Sequence, residues 1–206
     1  MGIPVLIMGE SGSGKSASLR NFKPGECLVL NVAGKPLPFR GKLDTVQNAT
    51  YGKISAAIKA GKYKVYIVDD SQYLMSFEEM DRAKETGYGK FTEMAIHFKN
   101  MISYVAQSTP PDVIVYFLHH IERTDEGRIK AKTVGKMLDT KITLEGLFSI
   151  VLLAETDGKK HVFITQSDGL TTAKSPMEMF PLEIDNDLKM VDETIREYYE
   201  PAEGVM

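Results

Sequence analysis

The chain has 206 residues, 43% hydrophobic and 26% charged, with a formal net charge of −3. That is enough to bury a sizeable core in one domain without staples, and the charge argues against a strongly basic nucleic-acid binder. Cys27 is the only cysteine, so an internal disulfide and a Cys-based zinc cluster are excluded, and a reducing cytoplasm is the expected compartment. The N-terminal apolar run is too short for a signal peptide and lacks a cationic lead, and no segment reaches transmembrane length, so no membrane is expected.

The first element is an apolar strand, Pro4–Met8, followed at once by GESGSGKS over residues 9–16. This matches G-x-x-x-x-G-K-[ST], with a strand entering and a short helix, Ser16–Phe22, leaving. Gly9, Gly12 and Gly14 free the backbone to curl its N–H groups inward around an anion. Glu10, Ser11, Ser13 and Ala17 complete the phosphate-contacting run. Lys15 carries positive charge to the β- and γ-phosphates of ATP, and the Ser16 hydroxyl is a ligand for Mg²⁺.

A second strand, Glu26–Val32, is followed by an Ala-rich helix over Ile54–Lys59. The third strand, Lys64–Val68, stops on Asp69 and Asp70. Two adjacent carboxylates at the end of a buried strand repel each other, and a cation offsets that cost. This strand is expected beside the first. Asp69 is then the second Mg²⁺ ligand, and Asp70 a general base or water-positioning group, with a helix N-cap as the alternative. Ser76–Tyr104 reads as a long amphipathic helix interrupted near Tyr88–Gly89, with Phe91, Met94, Ala95, Phe98, Met101 and Ile102 on one stripe.

The strand Val113–Leu118 ends on His119 and His120, and His120 is the preferred candidate for contacting the γ-phosphate or the attacking water. A basic stretch follows, with Arg123, Lys130, Lys132 and Lys136 as candidates to reach a neighbouring subunit's ATP or a nucleic-acid backbone; Lys174 is a further candidate. Phe148–Ala154 and His161–Thr165, joined at Asp157-Gly158, read as a hairpin. From Glu183 onward eight acids (Glu183, Asp185, Asp187, Asp192, Glu193, Glu197, Glu200 and Glu203) face only Lys189 and Arg196, so an acidic segment, 183–206, follows a mildly basic core, 1–182. The simplest reading of that segment is a solvated terminal helix.

The order strand–GESGSGKS–helix, ECLVLNV, KVYIVDDSQYLM, VIVYFLHHIE and KTVGKMLD resembles small P-loop proteins of phages and prophages of Gram-positive bacteria. Those are similar to the RecA core and to phage single-strand annealing ATPases. The resemblance covers about residues 3–190. It implies a RecA-like α/β fold, a mostly parallel sheet with helices on both faces and an antiparallel edge hairpin. It also implies Mg²⁺-dependent ATP hydrolysis and DNA recombination or annealing on single-stranded DNA, by chains associated in a ring or filament. A phage or host single-strand-binding or replication protein is a further expected partner. RecA-like proteins often carry a catalytic Glu at the end of the second strand, where this chain has Asn31, which shifts the base role toward Asp70 or slows hydrolysis. A helicase-loader type of ATPase working through a protein partner is the alternative, and a small-molecule kinase a weaker one.

Overall fold

The computed structural model describes residues 1–200. Nine strands form one mixed, mostly parallel sheet. In chain order they are β1 (Ile3–Gly9), β2 (Leu28–Asn31), β3 (Asp44–Gln47), β4 (Val65–Asp69), β5 (Ile114–Arg123), β6 (Ile129–Ala131), β7 (Ile150–Thr156), β8 (His161–Ile164) and β9 (Glu183–Asp185). Their order across the sheet is β3-β2-β4-β5-β1-β7-β8-β9, with β6 paired antiparallel to the outer half of β5. The helices are α1 (Tyr51–Ala60), α2 (Tyr73–Asp81), α3 (Gly89–Ser108) and α4 (Leu188–Tyr199).

Period-two alternation along the central strands builds two cores, one on each face. Leu6, Met8, Tyr66, Val68, Val115 and Phe117 face one way and meet α1, α2 and α3. Val5, Ile7, Val65, Ile67, Tyr116 and Leu118 face the other way and meet Leu19 and α4. The central strands are buried on both faces, which is why they read as unbroken apolar runs rather than alternating ones. β7 and β8 form the expected hairpin, its turn held by the Asp157 carboxylate accepting from the Lys159 and Lys160 amides at 2.8 Å each.

Three expectations are corrected. The Asp69 strand does not lie beside β1: β4 pairs with β2 and β5, and β5 pairs with β1 in register from Ile3↔Ile114 to Gly9↔His120. The fully apolar first half of β5 suits the most buried position, between the two motif-bearing strands. The segment after Ser16 is a six-residue 3-10 turn, Ser16–Asn21, rather than an α-helix. The expected interruption of the long helix near Tyr88–Gly89 is present: α2 ends at Asp81, α3 begins at Gly89, and Arg82 bridges Glu78, Glu85 and Glu93 across the break.

The acidic C-terminal segment, the third, is not simply solvated. Asp187 caps α4 by accepting from the Lys189 and Met190 amides. Leu188, Val191 and Ile195 are fully buried on one stripe, and the Tyr116 hydroxyl donates to the buried Asp192 at 2.9 Å. β9 extends the sheet beyond β8. Glu203 lies outside the described residues. Three strands are not expected from the sequence because none contains an apolar run: β3 is DTVQ, β6 IKA and β9 EID. No helix among the described residues is long and apolar enough to cross a membrane.

Candidate functional site

The C-terminal ends of β1, β4 and β5 converge on a cleft of about 320 Å³ lined by Ser11, Gly12, Gly14, Lys15, Ser16, Ala17, Lys35, Pro36, Pro38, Asp69, Asp70, His120 and His161. In open parallel sheets ligands bind outside the carboxyl ends of the strands, so this is where a ligand is expected. One wall is the 9–17 loop. Gly12 and Gly14 adopt φ of +83° and +94°, backbone that other residues rarely take. A Cβ on Gly14 would sit 2.8 Å from the His161 ring, and one on Gly9 would sit 2.3 Å from the Ser13 hydroxyl. The Ser13 hydroxyl oxygen is buried with no hydrogen-bond partner among the described residues. A tightly wound loop with an unsatisfied buried hydroxyl is a cradle suited to phosphate oxygens.

Lys15 is 6% exposed, and its ammonium donates to the Gly9 and Glu10 carbonyls at 2.7 and 2.8 Å. Those acceptors are neutral, so its charge is not paired there. Burial pulls its pKa down to about 8 against the opposing pull of Asp70 and Asp69, with Lys35 adding to the depression. An anion in the cleft would reverse this. The loop leads into a 3-10 helix of only about two turns, so helix-dipole stabilisation is minor, and an anion here would rely on the loop backbone and Lys15.

The Ser16 hydroxyl donates to Asp69 Oδ1 at 2.8 Å, joining residues 53 apart in sequence. Asp69 is 6% exposed. Burial pushes its pKa up and the Asp70 charge adds to this, while the Ser16 hydrogen bond and Lys15 oppose it. A hydroxyl and a buried carboxylate in contact, beside a phosphate cradle, match how Mg²⁺ is held: few protein oxygens, completed by phosphate and water. The fold thus brings Ser16 and Asp69 into direct contact. No group of three or more His, Cys, Asp or Glu side chains that could hold a metal is found among the described residues.

Asp70 turns the other way. Its backbone is left-handed at φ +58°, a strained conformation for a non-glycine residue. The side chain does not cap a helix: Gln72 is the residue preceding α2. Its Oδ1 accepts from His120 Nε2 at 3.1 Å and its Oδ2 from Lys35 Nζ at 2.8 Å. Burial alone would raise its pKa, but the His120 and Lys35 hydrogen bonds overcome that and hold it at about 2. A carboxylate this acidic is a weak proton acceptor at neutral pH, so its geometry suits orienting its two partners better than abstracting a proton.

The two histidines at the end of β5 separate cleanly. His120 faces the cleft, edge-on to the Tyr73 ring at 5.4 Å. His119 points into the helical core, fully buried against Phe98. Its Nε2 donates to the Lys132 carbonyl at 2.8 Å, and its Nδ1 lies 2.9 Å from the Ser71 hydroxyl. Burial drives its pKa down to about 3, so it is a neutral strut.

The basic candidates do not enter the cleft. Arg123 pairs with Glu10 at the tip of the cradle at 2.9 Å, and Lys130 with Asp139 at 2.6 Å and Glu122 at 3.1 Å. Lys132 is exposed and forms no ion pair among the described residues, and Lys136 is exposed too. Lys174 exchanges backbone hydrogen bonds with Val151.

Two contributors, His161 and Lys35, are not among the residues expected from the sequence, and Asn31, noted there only as standing in the place of a Glu, has a structural role. His161, at the start of β8, donates from Nδ1 to the Ser13 carbonyl at 3.1 Å and braces the cradle. Asn31 is 1% exposed, and its amide closes a turn at the start of the 31–41 loop: Nδ2 donates to the Lys35 carbonyl at 2.5 Å, and Oδ1 accepts from the Gly34 amide at 2.8 Å. That turn delivers Lys35 to the cleft. The signal available was the segment NVAGKPLPFRG itself, whose Gly and Pro spacing marks a shaped loop, though nothing in it names the target. No family model matches the chain, and no curated protein matches it.

Proposed function

We propose that the protein is a RecA-like P-loop ATPase that binds and hydrolyses Mg²⁺-ATP. The observation that carries this reading is the Ser16–Asp69 contact of 2.8 Å beneath a glycine cradle that also buries Lys15. The backbone of Gly9–Ala17 and Lys15 would hold the phosphates, Ser16 and Asp69 would hold the metal, and the metal would supply charge neutralisation at the β- and γ-phosphates. His120, oriented by Asp70, is the cleft-facing ring placed to contact the terminal phosphate or the attacking water. Asn31 is committed to its loop, and Asp70 is too acidic to be a strong base. Slow turnover follows, with nucleotide acting as much as an assembly switch as a fuel.

We further propose, on the resemblance to phage annealing proteins, action on single-stranded DNA by a ring or filament of chains. A second reading, an accessory ATPase that works through a protein partner, is favoured by one observation. Arg123 and Lys130 are neutralised by acids of the same chain rather than presented for phosphates.

The test is Mg²⁺-dependent ATP hydrolysis with and without single-stranded DNA, with Lys15→Ala as the blank. Stimulation by DNA that vanishes in the variant upholds the annealing reading. Hydrolysis indifferent to DNA favours the protein-partner reading, and absence of both nucleotide binding and hydrolysis in the unaltered protein refutes the ATPase itself.

A further inference from the structure

The loop 31–41 is built with more care than a connection between β2 and β3 requires. Asn31 spends its whole buried side-chain amide on closing the turn. Gly34 sits at φ +69°, and a Cβ there would fall 2.5 Å from the Asn48 carboxamide, so the turn is also packed tightly from outside. Pro36 and Pro38 then fix φ on the stretch that lines the cleft. The result is a pre-shaped strap along the wall opposite the cradle, and its one cleft-lining charge is Lys35.

Lys35 is held loosely by comparison. Its ammonium meets Asp70 at 2.8 Å and lies 5.1 Å from the centre of the Tyr73 ring, but its side chain is 59% exposed. An ion pair that open to water is easily exchanged for another anion. The backbone is therefore fixed while the charged end is free to change partner. The cleft already contains two carboxylates, Asp69 and Asp70, facing two ammoniums, Lys15 and Lys35. Lys15 belongs to the cradle, and Asp69 is the carboxylate in contact with Ser16. Lys35 and Asp70 are left as a matched pair that a further anionic group can split.

Resting on the ATPase reading above, we infer that Lys35 is the residue by which the site distinguishes a nucleoside triphosphate from a diphosphate. The ammonium exchanges Asp70 for the terminal phosphate, and the 31–41 strap exists to place it. Asn31 is then a positioning residue that acts through the strap. A diphosphate, lacking the terminal group, leaves the Lys35–Asp70 pair closed.

Calorimetric titration of the full chain with Mg²⁺-ADP and with the Mg²⁺ complex of the non-hydrolysable β,γ-imido analogue of ATP tests this. Lys35→Ala is expected to weaken the triphosphate analogue by about tenfold while ADP stays within about twofold, the loss of one charge-assisted contact. Asn31→Ala, which keeps the charge but loosens the strap, is expected to lower the same ratio by a smaller factor, and Lys35→Arg to restore part of it. Equal weakening of both nucleotides, or no change in their ratio, overturns the inference while leaving the ATPase reading intact. Failure of the unaltered protein to bind either nucleotide overturns both. A thermal melt of each variant identifies any that fail to fold; because Lys35 is exposed, the Lys35→Ala melt is expected to match that of the parent.

Discussion

The two walls of the cleft are made by different physics. The cradle, residues 9–17, is backbone: two left-handed glycines, a turn closed by the Ser13 amide on the Glu10 carbonyl, and a lysine folded onto its own loop's carbonyls. The strap, residues 31–41, is held by side chains: one asparagine amide inside and one exposed ion pair across the cleft. A backbone wall offers the same donors whatever the neighbouring residues do. A side-chain wall can let go, and it is the wall suited to sensing what has bound.

The largest break in this contrast comes from the cradle. Lys15→Ala should weaken both nucleotides alike by about a hundredfold, about 3 kcal/mol, because it removes a buried charge from the phosphates. Calorimetry comparing ADP with the imido analogue checks this against the selective loss expected of the strap.

Acid should destabilise the fold as a whole through a histidine buried on the α3 side of the sheet rather than through either wall. His119 has its pKa depressed to about 3, so it is neutral when folded and gains a proton near 6.5 when unfolded. Its contribution is complete above about pH 6.5 and is lost as pH falls toward 3, at about 1.4 kcal/mol per pH unit for this single group. Its hydroxyl partner, Ser71, adjoins Asp70. Denaturant unfolding from pH 7 to 4.5 should show that slope, and His119→Gln, which cannot titrate, should flatten it.

Smaller effects sharpen the comparison. Gly14→Ala forces a side chain into left-handed backbone against the His161 ring, and should cost about 2 kcal/mol of stability and impair both nucleotides. Asn31→Ala frees the Gly34 amide and Lys35 carbonyl on a loop that reaches water, so about 1 kcal/mol is expected in a chemical melt. If Asn31→Ala proved costlier than Gly14→Ala, the strap would be the more rigid wall and the contrast would be reversed.

Much of the candidate site was legible because its signals are local. Gly9–Ser16 carries its conformation in its own glycines, and the apolar run before Asp69 declares a strand buried on both faces. The hairpin at Asp157-Gly158 and the helical stripe of α3 are likewise written in residues close along the chain. What stayed hidden depends on partners far away: whether Asp70 caps a helix or pairs with Lys35, and whether an acidic terminal stretch is solvent-facing or docks Leu188, Val191 and Ile195 on the sheet. His119 and His120 are adjacent letters of one type. Strand alternation sends one into the core and the other to the cleft, and only the packing of α3 decides which.

The amino-acid sequence by itself determined the cradle, the central strands and the carboxylate pair, because short-range sterics and two-sided burial leave these segments few alternatives. Only the tertiary structure decided that β5 lies between β1 and β4, that Ser16 meets Asp69 across 53 residues, and that Lys35 answers Asp70 from the opposite wall. Strand order and cross-cleft pairs are settled by the summed burial of both faces and by electrostatics between distant residues, and no window of the chain contains both halves of either.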